Sequence, residues 1–419
     1  MIGIKYTTHR VSFDFATKLL LFILSPFVAF LLSVRNAASK SSFAIFALWG
    51  MLFAWQMTIQ TTSEYQDLIG IVERFENNTY TAEEVGHNIY AYFSFSSDAP
   101  KELYEIILIW FSKLFSSSYH IYYLLASFPF LFFMLGSLKK VTQEENFDNS
   151  LVCIVFLALF VMCKDIISLQ NPRFSTGFWY IVYCTINYLD SNTRCNKFLF
   201  LLLLSPLFHS AYWVYILFFY LFTILPRRIL KFEVIAIIVS PLLLINIDFL
   251  REYNVSFFPP AFEAWVERYL SDDNYNKFVV QTGRSGFWWV QAIFDSAIRI
   301  AYIFMTILLI RNKDTITKDH RNSVLYRFYI LIYIFICIIQ SVPILGQRYF
   351  DIIRVFCLIL WLRTIMHKYP SILYYTLLTY SFFIIRRYCY VIGGALSVCT
   401  PIEFFVSPLP ITLLRFFTL

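Results

Sequence analysis

His209 stands in Leu201-Leu-Leu-Leu-Ser-Pro-Leu-Phe-His-Ser-Ala-Tyr-Trp-Val-Tyr215, a stretch otherwise as apolar as hydrocarbon. An ionisable imidazole is costly there. It persists where a neighbouring carbonyl satisfies it, where it moves a proton, or where it hydrogen-bonds a sugar or phosphate oxygen. Arginines offer the complementary chemistry. Asn171-Pro172-Arg173-Phe174 follows an apolar run from Leu151 and reads as a helix start, with Arg173 presenting positive charge beside free backbone N–H groups. Arg173 is either an interfacial residue that snorkels to lipid headgroups or a ligand for phosphate or pyrophosphate. In Gly346-Gln-Arg-Tyr-Phe-Asp-Ile-Ile-Arg354, the residues Arg348, Asp351 and Arg354 are spaced by three and lie near one helical face. Asp351 can pair with either arginine, and Arg348, nearest the preceding loop, is the one to assign to an anionic ligand.

Glu102 and Glu105 share a helical face at the edge of an apolar segment, where partial desolvation would tune a carboxylate as a general base. Asp295 and Arg299, at i and i+4, read as a structural ion pair. Arg284, in Thr282-Gly-Arg-Ser-Gly286 before Trp288 and Trp289, is either a substrate clamp or an interface anchor. The eight cysteines fall mostly inside apolar runs, with no CxxC pair and no metal-ligand spacing. Buried free thiols are expected, and neither a metal nor another cofactor.

The elements that position these residues must be built for lipid. Of the 419 residues 59% are hydrophobic and only 15% charged, against about 25% charged in a soluble domain. Apolar runs at Ala44 to Ile59, Tyr119 to Leu138, Leu151 to Met162 and its extension, Ile235 to Ile247 and Val290 to Ile310 suit a bilayer. The expectation is an all-α polytopic integral membrane bundle, one continuous domain over residues 1–419 with about 10–12 membrane segments, some of them short and re-entrant. The net charge of +7 resides in short loops beside apolar segments, which signals topology and not nucleic-acid binding. The N-terminal run from Leu19 lacks a small-residue cleavage site and is expected to be retained.

The loops Lys139-Lys140, Pro226 to Lys231, Arg311 to Arg321 and Arg363 to Lys368 should face the cytoplasm. Alternation then puts two larger polar segments outside, at about 61–100 and 248–286. Their many aromatic residues, Tyr90, Tyr92, Trp265 and Tyr269 among them, suit stacking on sugars or an interfacial belt. The same count leaves basic residues 1–18 outside, a conflict that an interfacial N-terminal helix would remove. Glu102 to Phe115 is too short and charged to span and should dip into or lie on the outer leaflet. Only 28 residues, Phe198 to Leu225, separate two basic loops. They should form a hairpin of two short helices whose turn, Pro206 to Ala211, holds His209 in a cavity open to the outside.

Together, Ser63-Glu-Tyr-Gln-Asp67, Lys101-Glu-Leu-Tyr-Glu105, Arg173 after a span, Phe208-His-Ser-Ala211 and Gln347-Arg-Tyr-Phe350 resemble the polysaccharide polymerases of the Wzy type, in the branch related to the EpsG family. The resemblance covers roughly residues 44–363 and departs at Lys101 to Tyr104, where that family often has a Glu-Pro-Gly-aromatic turn. It implies a bacterial inner-membrane glycosyltransferase. Such an enzyme joins undecaprenyl-pyrophosphate-linked oligosaccharide repeat units into O-antigen, capsule or exopolysaccharide at the periplasmic face. On that resemblance Arg173, Arg348 and Arg284 would hold pyrophosphate, Glu102 or His209 would act as base, and Tyr104 and Tyr349 would contact sugar. Membrane lipids, a flippase and a chain-length regulator would be its partners. An O-antigen ligase, another lipid-phosphate-dependent glycosyltransferase, or a transporter of the same lipids are the rival readings, the last disfavoured because no internal repeat is visible.

Overall fold

With no water in hydrocarbon to satisfy backbone polar groups, each segment must satisfy its own, and the regular elements are helices with no strand among the described residues. The computed structural model describes residues 14–57, 66–94, 96, 99–100, 102–148, 150–191, 196–225, 232–244, 288–340, 343–395 and 401–418.

The chain opens with α1 (Phe15–Leu24) and α2 (Pro26–Val34), broken at Ser25. Pro26 at the first position of α2 pushes the residue before it out of the helical region, and Ser25 is extended at φ −158, ψ 99. Each helix is about 15 Å long or less, half of a hydrocarbon core. Lys18 of α1 donates to Ser39, Ser41 and Ser42 at 3.2, 2.9 and 2.8 Å, beside the start of α3 (Lys40–Trp55). The start of α1, the end of α2 and the start of α3 therefore lie at one end of the bundle. The basic N-terminus for which an interfacial helix is expected lies largely outside the described residues, which begin at Asp14.

Next come α4 (Gln66–Asn77), α5 (Ala82–Phe93) and α6 (Leu103–Lys113). The capping box of Thr81 and Glu84 starts α5. At 11 residues, α6 is about 16 Å long and does not reach across a bilayer. The segment expected as the first polar loop thus carries two helices, while 248–286 lies outside the described residues.

Long helices follow: α7 (Tyr119–Thr142), α8 (Leu151–Val161) continued by a 3-10 turn at Ile166–Gln170, and α9 (Pro172–Asp190). Then α10 (Asn196–Leu202), a 3-10 turn at Ser205–Leu207 and α11 (Tyr212–Ile224) make the short hairpin that the sequence predicts. The chain continues through α12 (Phe232–Val239), α13 (Trp288–Arg311), α14 (Lys313–Ile316), α15 (His320–Ile339), α16 (Pro343–Thr364), α17 (Pro370–Ala395), α18 (Pro401–Val406) and α19 (Leu409–Thr418). Among the described residues, four stretches are long and apolar enough to cross a membrane: Tyr119–Thr142, Leu151–Gln170, Ala292–Arg311 and His320–Ile339. The protein is a polytopic helical membrane protein.

One ionic network sets the ends of this bundle. Arg321 binds Asp190 at 2.6 Å and Glu144 at 2.7 Å, and Arg363 binds Glu144 at 2.7 Å and Asp190 at 2.9 Å. Burying charges is tolerable only when they are paired. The network ties the ends of α7, α9 and α16 to the start of α15, so the basic segments at Lys139, Arg321 and Arg363 share one end of the molecule, as expected from the sequence. We call it the basic end. The starts of α9 and α16 and the turn at Pro206–Ala211 lie at the other.

At that other end α9 touches the 205–211 turn through a glycine. A Cβ on Gly177 would lie 2.3 Å from the Tyr212 ring and 2.9 Å from Phe208 Cβ. Only a bare Cα lets the helix come this close, a common device where helices pack in lipid. Gly177→Ala should destabilise the protein by about 1–3 kcal/mol by overpacking and push the His209 turn away from α9. Thermal melting in detergent checks the first effect and loss of function the second.

Candidate active site

Glu102 is the residue before α6, with extended backbone at φ −150, ψ 118, and its side chain does not cap the helix it precedes. Its carboxylate turns across to α9 and to the α10–α11 turn. Arg173 Nη1 meets Glu102 Oε2 at 2.5 Å and Glu105 Oε2 at 3.1 Å, and Arg74 Nε of α4 holds the second oxygen of Glu105 at 3.1 Å. His209 Nε2 lies 3.5 Å from Glu102 Oε1. On its other side His209 Nδ1 accepts the Ala211 N–H at 3.1 Å. A ring nitrogen that accepts carries no proton, so the neutral imidazole has its proton on Nε2, facing Glu102.

Burial pushes the Glu102 carboxyl above its ordinary range, against the opposing pull of Arg173, and neighbouring Glu105 acts in the same sense as burial. Three polar atoms around Arg173 are buried without a protein partner: its own Nε, Asn171 Oδ1 and the Tyr122 hydroxyl. Native interiors leave few such groups. Their gathering at one arginine provides hydrogen-bonding capacity for a ligand.

Tyrosines hold the His209 turn. The Tyr212 hydroxyl donates to the Phe174 carbonyl at 2.6 Å, and its ring stacks on Phe174 with centroids 5.4 Å apart. The Tyr349 hydroxyl donates to the Ala211 carbonyl. Tyr349 is only 2% exposed, so its ring offers no face to a sugar. Tyr104 packs on Phe208 at 5.0 Å with its hydroxyl 3.5 Å from Thr176 Oγ1.

Phe174 is also where a cation of α16 and one from the end of α8 arrive. The Arg348 guanidinium lies 5.2 Å from its centroid, Lys164 Nζ lies 4.8 Å from it, and the His209 ring meets it edge-on at 5.4 Å. Asp351 binds Lys164 at 3.0 Å and Arg354 at 2.8 Å, so it pairs with Arg354 as its spacing allows and with a lysine the spacing could not show. Asp295 and Arg299 form the expected pair at 2.9 Å, and Arg299 also donates to the Leu243 carbonyl at 2.8 Å.

The structure thus brings together Glu102, Glu105, Arg173 and His209, with Arg348 one aromatic ring away. Arg284 lies outside the described residues. Sequence reasoning passed over Arg74 and Lys164. Lys164 carried a usable signal, a lone cation at the end of an apolar run, whereas Arg74 sits in a polar segment where a charge draws no notice. A group of possible metal ligands, Asp148, Cys153 and His367, also escaped linear spacing, with ligand atoms within 4.8 Å of one another. It lies beside the basic network, through Asn146, which donates to the Arg363 carbonyl at 2.8 Å and accepts from His367 at 2.9 Å. Cys153, Cys163, Cys184, Cys337 and Cys357 are free and buried, as expected.

In this helical membrane protein buried carboxylates, an arginine and a histidine converge opposite the basic end. The chain belongs to the EpsG family, whose profile matches residues 72–399 and so includes every member of the cluster from Arg74 to Arg354. Membership points to a polysaccharide-polymerase-like function. No curated protein matches the chain, and no solved structure does.

Because Tyr349 fixes the turn through a single hydroxyl, Tyr349→Phe should cost about 0.5–1.5 kcal/mol of stability. Thermal melting of the purified variant measures it.

Proposed function

We propose that the protein polymerises lipid-pyrophosphate-linked oligosaccharide repeat units, undecaprenyl being the carrier lipid, at the periplasmic face of a bacterial inner membrane. The observation that carries this reading is the buried Glu102 carboxylate shared between Arg173 and His209. Such an arrangement suits proton removal from a hydroxyl next to a group that leaves with negative charge. The basic end is then cytoplasmic, in keeping with the enrichment of Lys and Arg in loops on that side.

In the reaction, the acceptor sugar hydroxyl attacks the anomeric carbon at the reducing end of the growing chain. The bond from that carbon to the pyrophosphate oxygen breaks, and its electron pair leaves with the lipid pyrophosphate. The acceptor proton passes to Glu102. His209 Nδ1 is engaged by the Ala211 N–H and its Nε2 faces Glu102 Oε1 at 3.5 Å, so of the two candidate bases Glu102 is the one we assign. Arginine charge, from Arg173 and Arg348, stabilises the departing pyrophosphate. The glycosyl pyrophosphate supplies the energy, so no nucleotide or redox cofactor enters. Tyr349 is assigned a positioning role through Ala211, and Tyr104 supports the turn through Phe208. A flippase that delivers the lipid-linked units and a regulator of chain length are its natural partners.

Purified protein supplied only with lipid-linked repeat units should make a ladder of products in detergent, with no second acceptor and no membrane to cross. A ligase or a transporter would make none. Glu102→Gln should lower turnover by about 10²–10⁴, and His209→Ala should stall growth too. Single repeat units would accumulate on the lipid while protein abundance in the membrane stays normal. Long glycan in both variants would overturn the assignment.

The pH dependence has a definite sign. Only deprotonated Glu102 accepts a proton, so activity falls as pH drops through its pKa. Burial raises that pKa, which places the acid limb of kcat/KM above the ordinary glutamate value of about 4.3. An acid limb at or below that value would refute Glu102 as the base.

A further inference from the structure

We propose that Asp148, Cys153 and His367 form a zinc site at the basic end, clipping the connection between α7 and α8 to the one between α16 and α17. The inference stands apart from the polymerase reading, and its measurement involves no glycan.

Donor chemistry supports zinc. One carboxylate oxygen, one thiol sulfur and one imidazole nitrogen lie within 4.8 Å of one another. Zinc takes these ligand types together, whereas magnesium and calcium take oxygen. With bonds of about 2.0–2.3 Å, the edges of a zinc tetrahedron measure about 3.3–3.8 Å, so the three atoms have about 1.5 Å or less to close. Cys153 is fully buried in the first turn of α8. Asp148 and His367 are exposed and lie in connecting segments. Rotation of those two side chains supplies the movement, and a water completes the tetrahedron from the exposed side.

Neighbouring backbone gathers the ligands. The Asn146 carbonyl lies 2.9 Å from His367 Nε2 and 3.8 Å from Cys153 Sγ, so one oxygen holds the imidazole and the thiol together. The Asp148 N–H points at Cys153 Sγ at 3.3 Å, and the Ser150 N–H donates to Asp148 Oδ1 at 3.0 Å. Contacts of this kind support a thiolate and orient a ligating carboxylate. Asn146 also donates to the Arg363 carbonyl at 2.8 Å, which ties the group to the ionic network. His367 stands 221 positions from Asn146, so spacing along the chain gives no sign of the site.

Charge decides whether a dication can sit beside arginines. On binding, the Cys153 S–H bond breaks, its proton leaves to solvent, and the sulfur lone pair goes to the metal beside those of the carboxylate and the neutral imidazole. No oxidation state changes. Zinc with one thiolate and one carboxylate sums to zero, so the loaded site presents no net charge to Arg321 and Arg363, which Glu144 and Asp190 already hold.

Titration of the purified, chelator-treated full-length protein in detergent with zinc alone, and separately with cobalt alone, tests the proposal. One equivalent of zinc should bind and raise the melting temperature by about 2 °C or more. Cobalt at the same site should give a sulfur-to-metal charge-transfer band in the near ultraviolet. His367→Gln and Asp148→Asn, both at exposed positions, should weaken zinc binding by about 100-fold or more while melting as the wild type does without metal. Cys153→Ser should abolish the cobalt band. Failure of the wild type to bind an equivalent of zinc, unchanged affinity in folded His367→Gln, or a cobalt complex that lacks the sulfur band would overturn the proposal.

Discussion

The bridge from Arg173 to Glu102 and Glu105 is the interaction on which the site end of this molecule depends. Two carboxylates one helical turn apart, both largely buried, would repel each other and lose their hydration. One guanidinium placed against both, with Arg74 behind Glu105, makes their burial tolerable. Because the four residues come from α4, from α6 and the residue before it, and from α9, electrostatic necessity locks those elements together. His209 then needs only to reach the one remaining Glu102 oxygen, which the close approach at Gly177 permits.

The basic end is built on the same logic with the opposite consequence. There two arginines and two acids bridge one another in a closed square, and Arg363 and Asp190 are less than a tenth exposed. Each acid is held by both arginines, so the network braces the helices that carry it, although Arg363 Nε is buried without a partner. The site end leaves Arg173 Nε, Asn171 Oδ1 and Tyr122 unsatisfied.

Much of this was legible from composition and from polar residues in apolar surroundings. His209, Arg173, Glu102 and Arg348 each stood out because a charge in hydrocarbon requires a reason, and the 28 residues between two basic loops could fold only as a short hairpin. What stayed hidden were partnerships over long separations. Asp351 looked to its own helix, and its second partner Lys164 lies 187 positions away. Arg74 was lost among ordinary surface charges. Tyr349, placed by a motif, carries a ring that is sealed and a hydroxyl used by Ala211, facts that only packing reveals. The run from Leu19 onward reads by hydropathy as one apolar stretch, and its break at Ser25–Pro26 is a matter of backbone stereochemistry.

That break affects how the molecule can change over time. A segment that enters a bilayer and returns to its starting side adds an even number to the passages the chain makes, namely none. The α1–α2 and α10–α11 hairpins can therefore lengthen, shorten or shift by a turn without inverting any helix downstream. Through-going helices have no such latitude, since gaining or losing one reverses everything after it. His209 is carried by an element of the forgiving kind. Drift in that hairpin can reshape the pocket for a different sugar while the faces of the protein keep their sides.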